Sequence, residues 1–178
     1  MVDSLDRLIN ADGSWDYGQL TGSLEESKEK LKLERLASTD PVDLTYTHGR
    51  LIEALVEFRE TTGYDRAAEL ASRLVKIHTS SRPPSERVKE GGRLHHHSLF
   101  GTYRGIFRFG EVTGDTSSCR HVARMLEDET LPRLTPSGYI PETEGAWTAP
   151  ETSSPGDAAQ LALWVATWLS RSSGGAGQ

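Results

Sequence analysis

The chain has 178 residues, a formal net charge of −6 and a single cysteine; 35% of it is hydrophobic and its mean hydropathy is −0.52. That length supports one domain with a core, and the acidic balance argues against the clustered Lys and Arg of a nucleic-acid or membrane-surface footprint. Cys119 alone cannot form an intrachain disulfide, the start MVDSLDRLIN lacks the apolar stretch of a signal peptide, and no run reaches the ~18 apolar residues of a membrane span; a reducing, cytoplasmic compartment is expected.

The punctuation along the chain is helical. Trp15 and Tyr17 in DGSWDYG form an aromatic loop, either tucked onto the surface or contacting a sugar. Ser23 with Glu26 fits a capping box, and the helix it opens is mostly charged and therefore peripheral. From Val42 to Thr62 the apolar residues Leu44, Leu51, Ile52, Leu55, Val56 and Phe58 recur mainly every three or four positions, as one helix face requires. Gly63 ends that helix and Asp65 opens the next, which carries Ala68, Ala71, Leu74 and Val75 on one side. TSSRPPSERVKEGG, from Thr79 to Gly92, reads as a loop. A further helix begins near His97 and ends at Gly114, and SSCRHVARMLEDETL is its amphipathic partner. No segment alternates with period two, so the fold class is all-α.

Two stretches repeat. EFRETTGYDRAAELASRLV (Glu57 to Val75) and RFGEVTGDTSSCRHVARML (Arg108 to Leu126) each end one helix with an aromatic, a Glu and Thr-Gly, then open an amphipathic helix. Gly63 and Gly114 are 114 − 63 = 51 positions apart, and Phe58/Phe109, Glu60/Glu111 and Ala71/Val122 share that offset. A period near 50 implies a repeated helical hairpin. DAAQLALWVATWL has the content of a third first helix with no second helix after it. The expected organisation is one domain over 1–169, with hairpins near 43–78 and 97–129, a half repeat over 154–169, and a flexible Ser/Gly tail over 170–178.

Three segments carry a resemblance: THGRLIEALVEFRETTGYDRA, HSLFGTYRGIFRFGEVTGD and SGYIPETEGAWTAPETSSPGDAAQLAL. From about Tyr46 to Leu169 the chain resembles the six-hairpin (α/α toroid) glycoside hydrolase-like group, and within it the β-L-arabinofuranosidase-type enzymes. The resemblance implies an incomplete toroid of about two and a half hairpins, and a protein that hydrolyses or binds a carbohydrate. It also implies that His48, His97 and Tyr139 line the cleft; the residues alone equally allow His48 a capping or packing role and the histidine run a polar helix entry. One departure stands out. Where those enzymes place a cysteine after Glu-Thr, as nucleophile or zinc ligand, this chain has Ser153 and Ser154 after Glu151-Thr152, so that thiolate–zinc chemistry is absent.

Glycoside hydrolysis needs two carboxylates flanking the bond, about 5–5.5 Å apart for retention and about 6.5–9.5 Å for inversion. Glu142, Glu144 and Glu151 lie in one Gly-, Pro- and Trp-rich stretch, and Trp147 can stack on a sugar face. Asp157 reads instead as a helix-start residue, in SPGD with Ser154 at the cap. Neighbouring side chains in His95-His96-His97 diverge, so at most two could meet one metal. Zinc needs three or four ligands, and no metal or cofactor is expected. The alternative reading is a non-catalytic helical module that binds a protein partner, or itself, through the apolar last helix and its Trp164 and Trp168.

Overall fold

The computed structural model describes residues 1–16, 41–80, 83–89, 94–140 and 153–174. Tyr17, the capping-box helix after Ser23, and Glu142, Glu144, Trp147 and Glu151 lie outside the described residues. Among the described residues the fold is all-α. The helices are α1 (Val2–Leu8), α2 (Pro41–Thr62), α3 (Asp65–Thr79), α4 (Pro84–Lys89), α5 (His96–Thr113), α6 (Thr116–Met125) and α7 (Ser153–Gly174). A π-helical turn, Leu126–Thr130, and a 3-10 turn, Leu131–Arg133, extend α6. Ile9 and Trp15 form an isolated antiparallel bridge.

The repeated Thr-Gly turn has a common mechanism in both copies. Thr62 Oγ donates to the Phe58 carbonyl and Thr113 Oγ to the Phe109 carbonyl, each at 2.6 Å, which caps the last turn from inside. Gly63 and Gly114 then take φ of 71° and 76°, the left-handed conformation that ends a helix most cheaply at glycine. The second helices start differently. Asp115 caps α6 by accepting from Ser117 N, whereas Asp65 is already the first residue of α3, whose cap position is Tyr64 with no side-chain bond.

The first helices of the hairpins lie side by side and parallel. Glu53 on α2 meets Arg104 on α5, and Glu57 meets Arg108 one turn further along both helices. Glycine makes this approach possible: a Cβ at Gly49 would lie 2.6 Å from Thr102 N, and one at Gly105 would lie 2.8 Å from the Gly49 carbonyl. On the other side of α5, α7 runs the same way, with Asp157 beside Arg104, Trp164 stacked on Phe107, and Arg171 on Glu111. α5 is thus the central element and is buried over most of its circumference. Phe100, Ile106 and Phe107 from α5 pack with Ile52 of α2 and Leu70 and Leu74 of α3, each essentially sealed from solvent. Burial of each such side chain stabilises by roughly 1.5–3 kcal/mol.

Three expectations are corrected. The presumed loop from Thr79 to Gly92 contains α4, whose Ser85 donates through both N and Oγ to the buried carboxylate of Glu129. The presumed tail from Ser170 is helical through Gly174, where Ser170 and Ser172 hydroxyls bond back to the carbonyls of Thr167 and Trp168. Phe58 is largely exposed rather than core, its ring edge-on to Tyr64.

Candidate functional site between the first helices

Polar side chains from midway along α2 and α5 meet others from the starts of α5 and α7. Arg104 is the hub. Its Nη1 donates to Asp157 Oδ1 at 2.7 Å and its Nη2 to Glu53 Oε1 at 3.0 Å. The guanidinium carbon also sits 5.5 Å from the Trp164 ring centroid, a cation–π contact. The other oxygen of Asp157 lies 3.0 Å from His97 Nδ1, and the two side chains are only 14% and 17% exposed. That contact is off the hydrogen-bond axis, and both atoms are buried without an aligned partner. Three successive first helices therefore contribute Glu53, His97, Arg104 and Asp157 to one cluster.

Local structure explains the placement. His95 caps α5, accepting from Ser98 N through Nδ1. His97 is then in the first turn, turned toward α7, with its ring 6.2 Å from that of His95 and nearly perpendicular to it. On α7, Ser154 is fully buried as the second helical residue, not a cap, and Asp157 is the fifth. Asp157 is an ion-pair partner rather than the helix-start residue expected from SPGD. Sequence reading missed Glu53 and Arg104 and read Asp157 as a helix start; the signal available was the 51-residue offset, which sets Glu53 against Arg104.

Of the two roles open to His48, cleft contact or packing, the structure gives it packing: it has no exposed surface. Trp15 Nε1 donates to His48 Nε2 at 3.0 Å, and His48 Nδ1 lies 3.2 Å from His78 Nε2. Burial pushes the His48 imidazole down to about 4, and burial with the nearby His48 and His121 rings pushes His78 down to about 3. Both rings are neutral at pH 7. Tyr139 closes a turn in which Thr135 N donates to its carbonyl, just before the anchored Ile140. The stretch 141–152, with the three glutamates, joins Ile140 to the start of α7 next to this cluster.

Trp164 and Trp168 both pack against Phe107, so the apolar residues that α7 presents to solvent are Leu163 and Leu169, 68% and 45% exposed. Among the described residues no group of three or more His, Cys, Asp or Glu is placed to hold a metal ion. No described helix is long and apolar enough to cross a membrane. Comparison with family models, with curated proteins and with solved structures finds no match to this chain.

Proposed function

We propose that this chain is a carbohydrate-acting helical-hairpin protein of the six-hairpin glycoside hydrolase-like kind, with its sugar site beside the Arg104–Asp157–His97 cluster where α5 meets the start of α7. The observation that carries the reading is the convergence of Glu53, His97 and Asp157 on Arg104 from three successive first helices. In this reading Arg104 fixes both carboxylates in place, and the Asp157 oxygen 3.0 Å from Nδ1 orients the His97 ring. His97 Nε2 is then left to accept from a sugar hydroxyl. Glu142, Glu144 and Glu151, in the stretch that leads into α7, supply the acid and base, and Trp147 the stacking face. The reaction is set in a reducing, cytoplasmic compartment, consistent with a single buried thiol.

The test is turnover of a panel of aryl glycosides. Glu144→Gln or Glu151→Gln removes at least about 100-fold of the rate, as general acid–base catalysis of this kind contributes, with the melting midpoint unchanged. No turnover by the wild-type chain on any glycoside, and no sugar bound, contradicts the proposal.

A second reading rests on Leu163 and Leu169, which leave an apolar stripe of α7 uncovered. A protein-binding module would be indifferent to the glutamate substitutions. It would lose self-association or partner binding on Leu163→Asp, read by sedimentation or pull-down with a defined partner.

A further inference from the structure

The Trp15–His48–His78 chain is not used by the proposed sugar site. Its chemistry follows from one end. An indole N–H can only donate, so His48 Nε2 must accept, and its remaining proton is on Nδ1. His48 Nδ1–H therefore donates to His78 Nε2, which in turn carries its proton on Nδ1. The direction of every bond is set by Trp15. An added proton on either ring points an N–H at another N–H: at Trp15 if it enters His48, at His48 if it enters His78.

Trp15 belongs to the N-terminal segment 1–16, which lies over α3. Ile9 and Trp15 are buried there, Gly13 sits where a Cβ would meet the Arg73 carbonyl and Ile77, and Arg73 donates to the Ile9 carbonyl. Asp6 pairs with Arg66 at 2.6 Å and Arg73 at 2.8 Å, and Tyr64 donates to Asp3. From this geometry we infer that Trp15, His48 and His78 form an acid-sensitive latch that holds segment 1–16 on the α2–α3 hairpin and releases it when the imidazoles take up a proton.

The ionisable groups around the latch agree with that order of events. His78 on α3 and His121 on α6 are imidazoles, and Arg124 acts on His121, so protonation adds positive charge to positive charge. On the outer side of the segment, Arg66 and Arg73 hold the Asp6 carboxyl below its ordinary range. Asp6 is therefore ionised at pH 5.0, and the surface ion pairs do not trigger release there.

Hydrogen exchange of the full chain at pH 7.0 and 5.0, corrected for intrinsic exchange rates, tests the latch. Exchange of residues 2–16 should rise at least about tenfold at pH 5.0, the linkage expected for one imidazole moved from 6.5 to about 4, while α5 stays protected. A His48→Gln/His78→Gln double variant keeps an acceptor for the indole with nothing to protonate, and should abolish that rise. Trp15→Phe serves if the double variant does not fold: it removes the donor-only end and should leave the segment loose at both pH values. Unchanged exchange in 2–16 at pH 5.0, or a rise shared equally by α5, overturns the latch.

Discussion

Arg104 and Glu53 are 51 positions apart in sequence and 3.0 Å apart in space, and Arg108 and Glu57 repeat the relation at 3.2 Å. The offset of the sequence repeat is thus the register of the helix pair. α2 and α5 therefore meet at equivalent levels, and Arg104, midway along α5, joins Glu53 of α2 to Asp157 near the start of α7.

The close approach of α2 and α5 depends on glycine. Helix propensity alone would make Gly49→Ala stabilising by about 1 kcal/mol. The new methyl would instead fall within 2.6–2.7 Å of backbone atoms of Gly101 and Thr102, which cannot swing aside. Overpacking of this kind costs about 1–3 kcal/mol, so the urea midpoint should fall. Gly63→Ala has room for its methyl but a φ of 71°, and should cost only about 1 kcal/mol from backbone strain.

Two arginines on the same helix face should differ in weight. Arg104 is paired with Asp157 and Glu53, 14% and 22% exposed; Arg108 is paired with Glu57 and Glu60, 55% and 50% exposed, and with Glu111, which is 22% exposed but keeps Arg171. Arg104→Met strands two half-desolvated carboxylates and should cost about 2–3 kcal/mol, toward the lower end for a broken buried pair. Arg108→Met should cost under about 1 kcal/mol because water screens its partners. Equilibrium denaturation of both variants decides the order.

Acid should weaken the fold earlier than carboxylate titration would. His48 and His78 have folded values near 4 and 3, below the ordinary 6.5. Between those limits the unfolded chain binds more protons than the folded one, so stability rises with pH. The contribution is complete above pH 6.5 and is lost as pH falls toward 4 and then 3. Urea denaturation at pH 7.0 and 4.5 should differ by on the order of 2–4 kcal/mol, and the difference should shrink in His78→Gln.

Cys119 is buried, with its Sγ against Gly110 and its S–H toward the Phe107 carbonyl. Burial, with Glu111 and Asp115 nearby, pushes its thiol up to about 11. Native protein at pH 8 should resist alkylation by iodoacetamide and react rapidly in urea, because the thiolate is the nucleophile.

The helices were legible because apolar spacing and Thr-Gly turns act locally. Thr62, Gly63, Thr113 and Gly114 do the same work in both copies. The cluster was less legible because its bonds join residues from different helices. SPGD has the look of a cap in isolation; only the approach of α5 turns Asp157 into a partner of Arg104 and His97. The packing of His48 was hidden for a similar reason. Its neighbours in sequence suggest a helix start, whereas its burial is imposed by Trp15 and His78, 33 and 30 positions away. α7 ran past Leu169 because side-chain-to-carbonyl bonds and the Arg171–Glu111 pair carry a Ser-rich segment that propensity alone would not.

The most direct test of the sugar site is the melting midpoint of the full chain across a panel of monosaccharides and short oligosaccharides, alongside Asp157→Asn. A ligand that binds only the folded state raises the midpoint by mass action. One sugar should raise it in the wild-type chain, and the rise should be lost in Asp157→Asn, where His97 and Arg104 lose their shared carboxylate. A wild-type midpoint that no sugar moves contradicts a carbohydrate site at the Arg104–Asp157–His97 cluster.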